Sequence, residues 1–253
     1  MRKNITLEAD GLKITGQLYL PCGQSKYPAV CVCHGIPARS PDPTSNGYPI
    51  LAEKICQEGF AVLIFNFRGT GTSEGNFDIS GWTKDLESAI NYLWELPEVD
   101  KSRLSLLSFS GGAAVSIYVA SMDKRVSSVA SCACPAEFVF LTRGDNPQAI
   151  IDRFRNIGII RDNDFPASTK AWLNGFKLVN PIEHISGIAP RPLLLVHGSD
   201  DETVAISHAR RLYAKAKEPR QLVIIGGGRH RLRQNDEAMS VAINWLKLQG
   251  QIS

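Results

Sequence analysis

A serine attacks a carbonyl only when three other groups support it. A base takes its proton, a carboxylate holds that base in one tautomer, and donors stabilise the oxyanion. This chain offers candidates for each. Ser110 ends an apolar run, residues 104–109, with Ser108 two places before it and Gly112 two places after. A sharp strand-to-helix turn strains the residue at its tip, so neighbours two positions away must be small. The residues after Ser110 then begin a small-residue helix, whose free amides face whatever the serine attacks. His230 follows Gly226-Gly227-Gly228-Arg229, a loop able to approach other strand ends closely. Asp201 lies in His197-Gly198-Ser199-Asp200-Asp201, where a short turn after His197 returns it over the sheet edge. Asp200 is the neighbouring alternative, and both acids also suit a helix start. The Gly111 amide is one oxyanion donor. The His34-Gly35-Ile36-Pro37 loop supplies the other, at Ile36.

These residues sit far apart in the chain, so elements must gather them. Residues 5–8 and 12–20 flank Asp10-Gly11, a hairpin turn. Apolar runs at 28–33, 60–67, 103–107, 126–133, 192–196 and 221–225 read as strands. Trp82, Leu86, Ala89, Ile90 and Leu93 recur at helical spacing, as do Ile206, Ala209, Leu212 and Tyr213. Asn235 caps a last helix ending near Gly250. Alternating strands and helices predict a mostly parallel sheet covered on both faces, with ligands at the carboxyl ends of its strands. His34, Arg68, Ser110, Cys134 and His197 each follow a strand directly. Residues 137–189 break the rhythm and are too long for a plain connection. They read as a small helical lid over the strand ends, inserted into a core of residues 1–136 and 190–253. Its aromatics, Phe138 and Trp172 among them, line an apolar acyl pocket or form the lid's own core.

Composition sets the outer limits. The chain has 253 residues, 43% hydrophobic and 21% charged, with a net charge of +3. That charge is too weak to imply nucleic acid. No apolar run approaches the roughly 20 residues that span a bilayer, and the first residues lack a signal peptide's apolar block. A cytoplasmic location is expected. Of six cysteines, Cys31/Cys33 and Cys132/Cys134 are spaced to share one strand face, as small core residues do. Zinc sites use other spacings. No metal and no organic cofactor is expected.

Together the chain resembles an α/β-hydrolase of the serine esterase and lipase type. The matching pieces are His34-Gly35, the run from Asn66-Phe67-Arg68-Gly69 to Ser73-Glu74-Gly75, and Ser108-x-Ser110-x-Gly112. His197-Gly198-x-x-Asp201-x-x-Val204 and Gly228-x-His230 complete the set. The resemblance implies an α/β-hydrolase fold with a central sheet of about eight strands. It also implies a Ser110–Asp201–His230 triad with oxyanion amides at Ile36 and Gly111. Ser108 replaces the usual first glycine of the turn, and Gly111 stands where a longer residue often follows the serine. A serine nucleophile favours esters and thioesters, so the expected activity is a carboxylesterase acting on a small-molecule ester through an acyl-enzyme. Arg229, Arg231 and Arg233 flank His230, and Arg39 follows the oxyanion loop. These are solvated surface cations, or they bind an anionic substrate portion such as the phosphates of an acyl-CoA. The latter gives the alternative of an acyl-CoA thioesterase. A non-catalytic binding protein of the same fold is the alternative from another class.

Overall fold

Asp10 and Gly11 both take positive φ, 53° and 76°, the backbone of a tight hairpin turn. They join β1 (Arg2–Ala9) to β2 (Leu12–Tyr19), the antiparallel end of one sheet. The computed structural model describes residues 1–23, 26–38, 47–138 and 146–251. In it β3 (Tyr27–Cys33), β4 (Ala61–Phe65), β5 (Val99–Phe109), β6 (Val126–Cys132), β7 (Leu193–Gly198) and β8 (Arg220–Ile225) complete the sheet. The order is β1-β2-β4-β3-β5-β6-β7-β8. β2 meets β4 antiparallel, and all later pairs are parallel. β3, β4 and β7 are buried along their whole length, as parallel strands covered on two faces must be.

The period of two sorts side chains to those faces. Cys31, Cys33, Leu104 and Leu106 join one apolar cluster with α2 (Ile79–Glu95), α3 (Ser110–Met122) and α7 (Ile206–Lys215). Val30, Val32 and Leu107 join the other, with α1 (Gly47–Gln57) and α8 (Asp236–Gly250). Cys31 and Cys33 therefore share a face, but Cys132 and Cys134 do not. The strand stops at Cys132, and Ala133 turns to φ 51°, which sends Cys134 to the opposite side. Burial pushes the Cys132 thiol up to about 12, so it behaves as a small apolar residue.

The segment that interrupts the alternation is helical among its described residues. It forms α4 (Pro147–Ile157), α5 (Thr169–Leu178) and the short α6 (Pro181–His184). Its aromatics tie it to the core. The Trp172 indole donates to the Phe77 carbonyl at 3.0 Å. The Phe77 ring lies 4.7 Å from Phe154 and 5.8 Å from Phe176, edge to face. Arg161 caps the carbonyls of Gly69, Gly71 and Ser73. The loop between β4 and α2 is held from its other side by Arg68. Its guanidinium bridges Asp85 at 2.7 Å and Asp10 at 2.8 Å, with the Asp85 side chain fully buried.

Candidate functional site

β5 delivers Ser110. Its Phe109 ends the strand, and Ser110 opens α3 with φ 50°. That left-handed conformation costs a non-glycine residue about 1–3 kcal/mol and persists only where the surroundings over-determine it. They do so here. A methyl group at Gly112 would collide with the His34 carbonyl, so α3 can start this close to β3 only with glycine at that position. The small Ser108 is buried and its hydroxyl donates to the Ala130 carbonyl. His34 locks the facing loop. Its Nε2 accepts the Phe67 amide at 3.1 Å, so Nδ1 carries the hydrogen and donates to the Gly35 carbonyl at 2.7 Å. The Ile36 amide nitrogen ends 3.5 Å from where a Cβ on Gly111 would sit. The amides of Ile36 and Gly111 are thus neighbours beside Ser110.

β7 and β8 deliver the other two groups. Past their ends, Ser199 N–H donates to the Ile225 carbonyl and Asp200 N–H to the Gly228 carbonyl, each at 2.9 Å. These bonds zip the acid-bearing loop to the histidine-bearing loop. His230 Nε2 then lies 3.0 Å from Ser110 Oγ, and His230 Nδ1 lies 2.9 and 3.0 Å from the Asp201 carboxylate. Nδ1 faces a carboxylate and carries the hydrogen, which leaves Nε2 free to accept from the serine. Asp201 has a fully buried side chain. Burial opposes its charge, but hydrogen bonds from His230 and from the Val204 and Thr203 amides outweigh it. They hold the carboxyl below the usual range. Asp200, the sequence alternative, accepts only from its neighbour Ser199 among the described contacts.

His197, which the sequence suggests forms a turn, is a buried neighbour of Asp201. It is 1% exposed. Its Nε2 donates to the Val204 carbonyl at 2.8 Å and lies 3.4 Å from Asp201 Oδ2. The four-residue spacing to Asp201 was the available signal. His184 and His208 face backbone groups, the Leu178 carbonyl and the Ala136 amide.

A cavity of about 830 Å³ opens from Ser110 and His230. Ile36, Tyr48 and Phe109 form apolar wall; Asn66, Thr70 and Gln17 are polar wall; and Arg231 and Arg233 also line it. It extends along the middle of β1 and β2, where residues 4–6 and 15–17 line it. Phe138 and Trp172 do not line it. Both are buried, Phe138 edge to face on Phe176 at 5.1 Å and Trp172 on the Phe77 carbonyl. An indole N–H removed from water needs an acceptor, and the core supplies it. Arg229 is also absent from the wall and faces Glu202 at 3.7 Å. Arg39 lies outside the described residues. No group of three or more His, Cys, Asp and Glu among the described residues could hold a metal ion. No helix among them is long and apolar enough to cross a membrane.

A family model for the alpha/beta hydrolase fold matches residues 28–156. The uncharacterized protein YfhR of Escherichia coli (strain K12) is 29% identical over 184 residues, covering 71% of this chain and 56% of YfhR. The thiohydrolase aneE of Aspergillus aculeatus is 34% identical over 198 residues, covering 77% of this chain and 59% of aneE. This chain therefore spans little more than half the length of either protein. The solved structure of Est1E from Butyrivibrio proteoclasticus with ferulic acid bound superposes with a TM-score of 0.75 at 19% identity. It covers 98% of this chain and all of Est1E, a likeness of fold alone.

Proposed function

This chain belongs to the alpha/beta-hydrolase fold family, and on that premise we propose that it hydrolyses carboxylic esters through an acyl-enzyme. The observation that supports the reading is the hydrogen-bonded chain Ser110–His230–Asp201, closed at 3.0 and 2.9 Å. Ser110 Oγ attacks the ester carbonyl as His230 Nε2 takes its proton. The carbonyl oxygen becomes an oxyanion held by the Ile36 and Gly111 amides. The tetrahedral adduct collapses, the C–O bond to the alcohol breaks, and His230 returns the proton to the departing oxygen. Water then adds to the acyl-enzyme with His230 again as base. The acid leaves and Ser110 regains its hydrogen. Asp201 keeps the histidine in the competent tautomer and stabilises its charged form.

Ser110→Ala should lower hydrolysis of 4-nitrophenyl acetate and butyrate by at least about 10³-fold, with an unchanged far-ultraviolet circular dichroism spectrum. A fluorophosphonate probe should label wild-type Ser110. Full turnover by the folded variant would sink the assignment. Absence of labelling would favour a binding protein of this fold.

A second reading, thioester hydrolysis, is favoured by the similarity to a thiohydrolase. The same steps apply with a thiolate leaving group. It predicts a higher kcat/KM for butyryl-CoA than for 4-nitrophenyl butyrate.

A further inference from the structure

Two arginines line the cavity beside Ser110. Its charged lining among the described residues is Arg231 and Arg233, with no Asp or Glu. Elsewhere Arg68, Arg125, Arg211 and Arg229 each face a carboxylate and Arg161 and Arg191 hold backbone carbonyls, while Arg153 and Arg210 are exposed with no ion pair among the described residues. Arg231 is exposed and has no carboxylate within ion-pair distance among the described residues. A guanidinium in a cleft without a carboxylate is a ready site for one from outside, or for a phosphate.

The two arginines are also held in place. His230 is followed by a short turn, Leu232 N–H bonding back to the His230 carbonyl at 2.9 Å and Gln234 N–H to the Arg231 carbonyl at 2.9 Å. Leu232 is 1% exposed and anchors the turn in the apolar cluster behind it. Arg231 and Arg233 are thereby tied to the residue proposed to move protons. Arg233 lies 4.4 Å over the Tyr48 ring, a cation–π contact, and a methyl group at Gly47 would collide with its guanidinium. Arg231 and Arg233 thus come from the same turn that places His230, while Ile36 and Phe109 give the serine end an apolar wall.

We propose that the ester cleaved here carries an anionic group, a carboxylate or a phosphate, which Arg231 binds in this cavity with Arg233 beside it. This deepens the ester-hydrolase reading and rests on it. Charge-assisted hydrogen bonds to a guanidinium orient a substrate as well as hold it, so the anion sets which ester presents its carbonyl to Ser110.

The test compares four esters: neutral 4-nitrophenyl butyrate, 4-nitrophenyl hemisuccinate with the anion on the acyl side, 4-butyryloxybenzoate with a carboxylate on the leaving side, and 4-(butyryloxy)phenyl phosphate. In Arg231→Gln, kcat/KM for at least one anionic ester should fall at least about tenfold further than for the neutral ester, mainly through KM. Arg231→Lys should recover part of the difference, and added sodium chloride should shrink it. The ester that responds identifies the side and kind of the anion. An equal fall for all four overturns the proposal. A second readout needs no catalysis. Succinate, 4-hydroxybenzoate or inorganic phosphate should raise the melting temperature of Ser110→Ala protein, and Arg231→Gln in that background should abolish the rise. No rise with any of the three overturns the anion site, whereas persistent turnover by Ser110→Ala overturns the serine mechanism and leaves the anion site to be judged on binding.

Discussion

Asp85 and Asp201 are the same residue type, and both side chains are fully buried. Each sits just outside the sheet and accepts backbone amides, Asp85 from Arg68 and Asp201 from Thr203 and Val204. They differ in the cation they face. Arg68 meets Asp85 with Nε at 3.0 Å and a terminal nitrogen at 2.7 Å, and a guanidinium does not give up its proton in this setting. That pair can only brace the loop after β4. Asp201 faces an imidazole whose far nitrogen reaches a hydroxyl. The ring can take a proton on one side because the carboxylate steadies it on the other. In the proposed mechanism a buried carboxylate takes part in chemistry through its partner, not through its own burial.

Exchanging each acid in turn separates the two roles. Asp201→Asn should keep the fold and lower kcat by about 10⁴-fold, because the amide favours the tautomer that cannot take the Ser110 proton. Ester turnover beside a thermal melt measures both. Asp85→Ala should do the reverse. It leaves Arg68 buried with the half-exposed Asp10 as its remaining ion-pair partner among the described residues, a loss of about 3–5 kcal/mol in urea unfolding. Turnover per folded molecule should fall less than Asp201→Asn makes it fall. If Asp85→Ala were stable and inactive, the division into brace and chemistry would be wrong.

The smallest effect concerns pH. The Asp201 carboxyl is held below the usual range in the folded protein, so its pairing adds stability above the ordinary unfolded carboxylate value, about 3.9. That contribution is lost as pH falls through the folded value. The melting-temperature gap between wild type and Asp201→Asn should be widest near neutrality and narrow below about pH 4. A gap constant down to pH 3 would place the origin of the stability difference elsewhere.

Much of this was legible beforehand, for physical reasons. Hairpin residues with positive φ, continuous apolar runs and helical spacing are local signals, and the strands and helices they predicted are present. That Ser110, Asp201 and His230 meet was readable because each follows a strand, and the ends of parallel strands converge. The insertion's aromatics misled: Phe138 and Trp172 suit an acyl pocket and a core equally well, and periodicity cannot tell which carbonyl an indole will find. Cys132 and Cys134 were misassigned to one face because a single left-handed residue, Ala133, ended the strand one position early. His197 was missed because a buried histidine beside a carboxylate looks in sequence like any histidine before a glycine.

Residue order and spacing alone determined the alternating α/β architecture, the small residues that let a strained serine exist, and the order of serine, acid and histidine. Those properties are local, set by steric size and by periods of two and 3.6 along the chain. The tertiary structure alone decided which acid reaches His230, on which side of the serine the cavity opens, and that Arg231 lines it while Arg229 turns to Glu202. These depend on how separate loops pack against one another across long stretches of chain, and no short-range pattern encodes that distance.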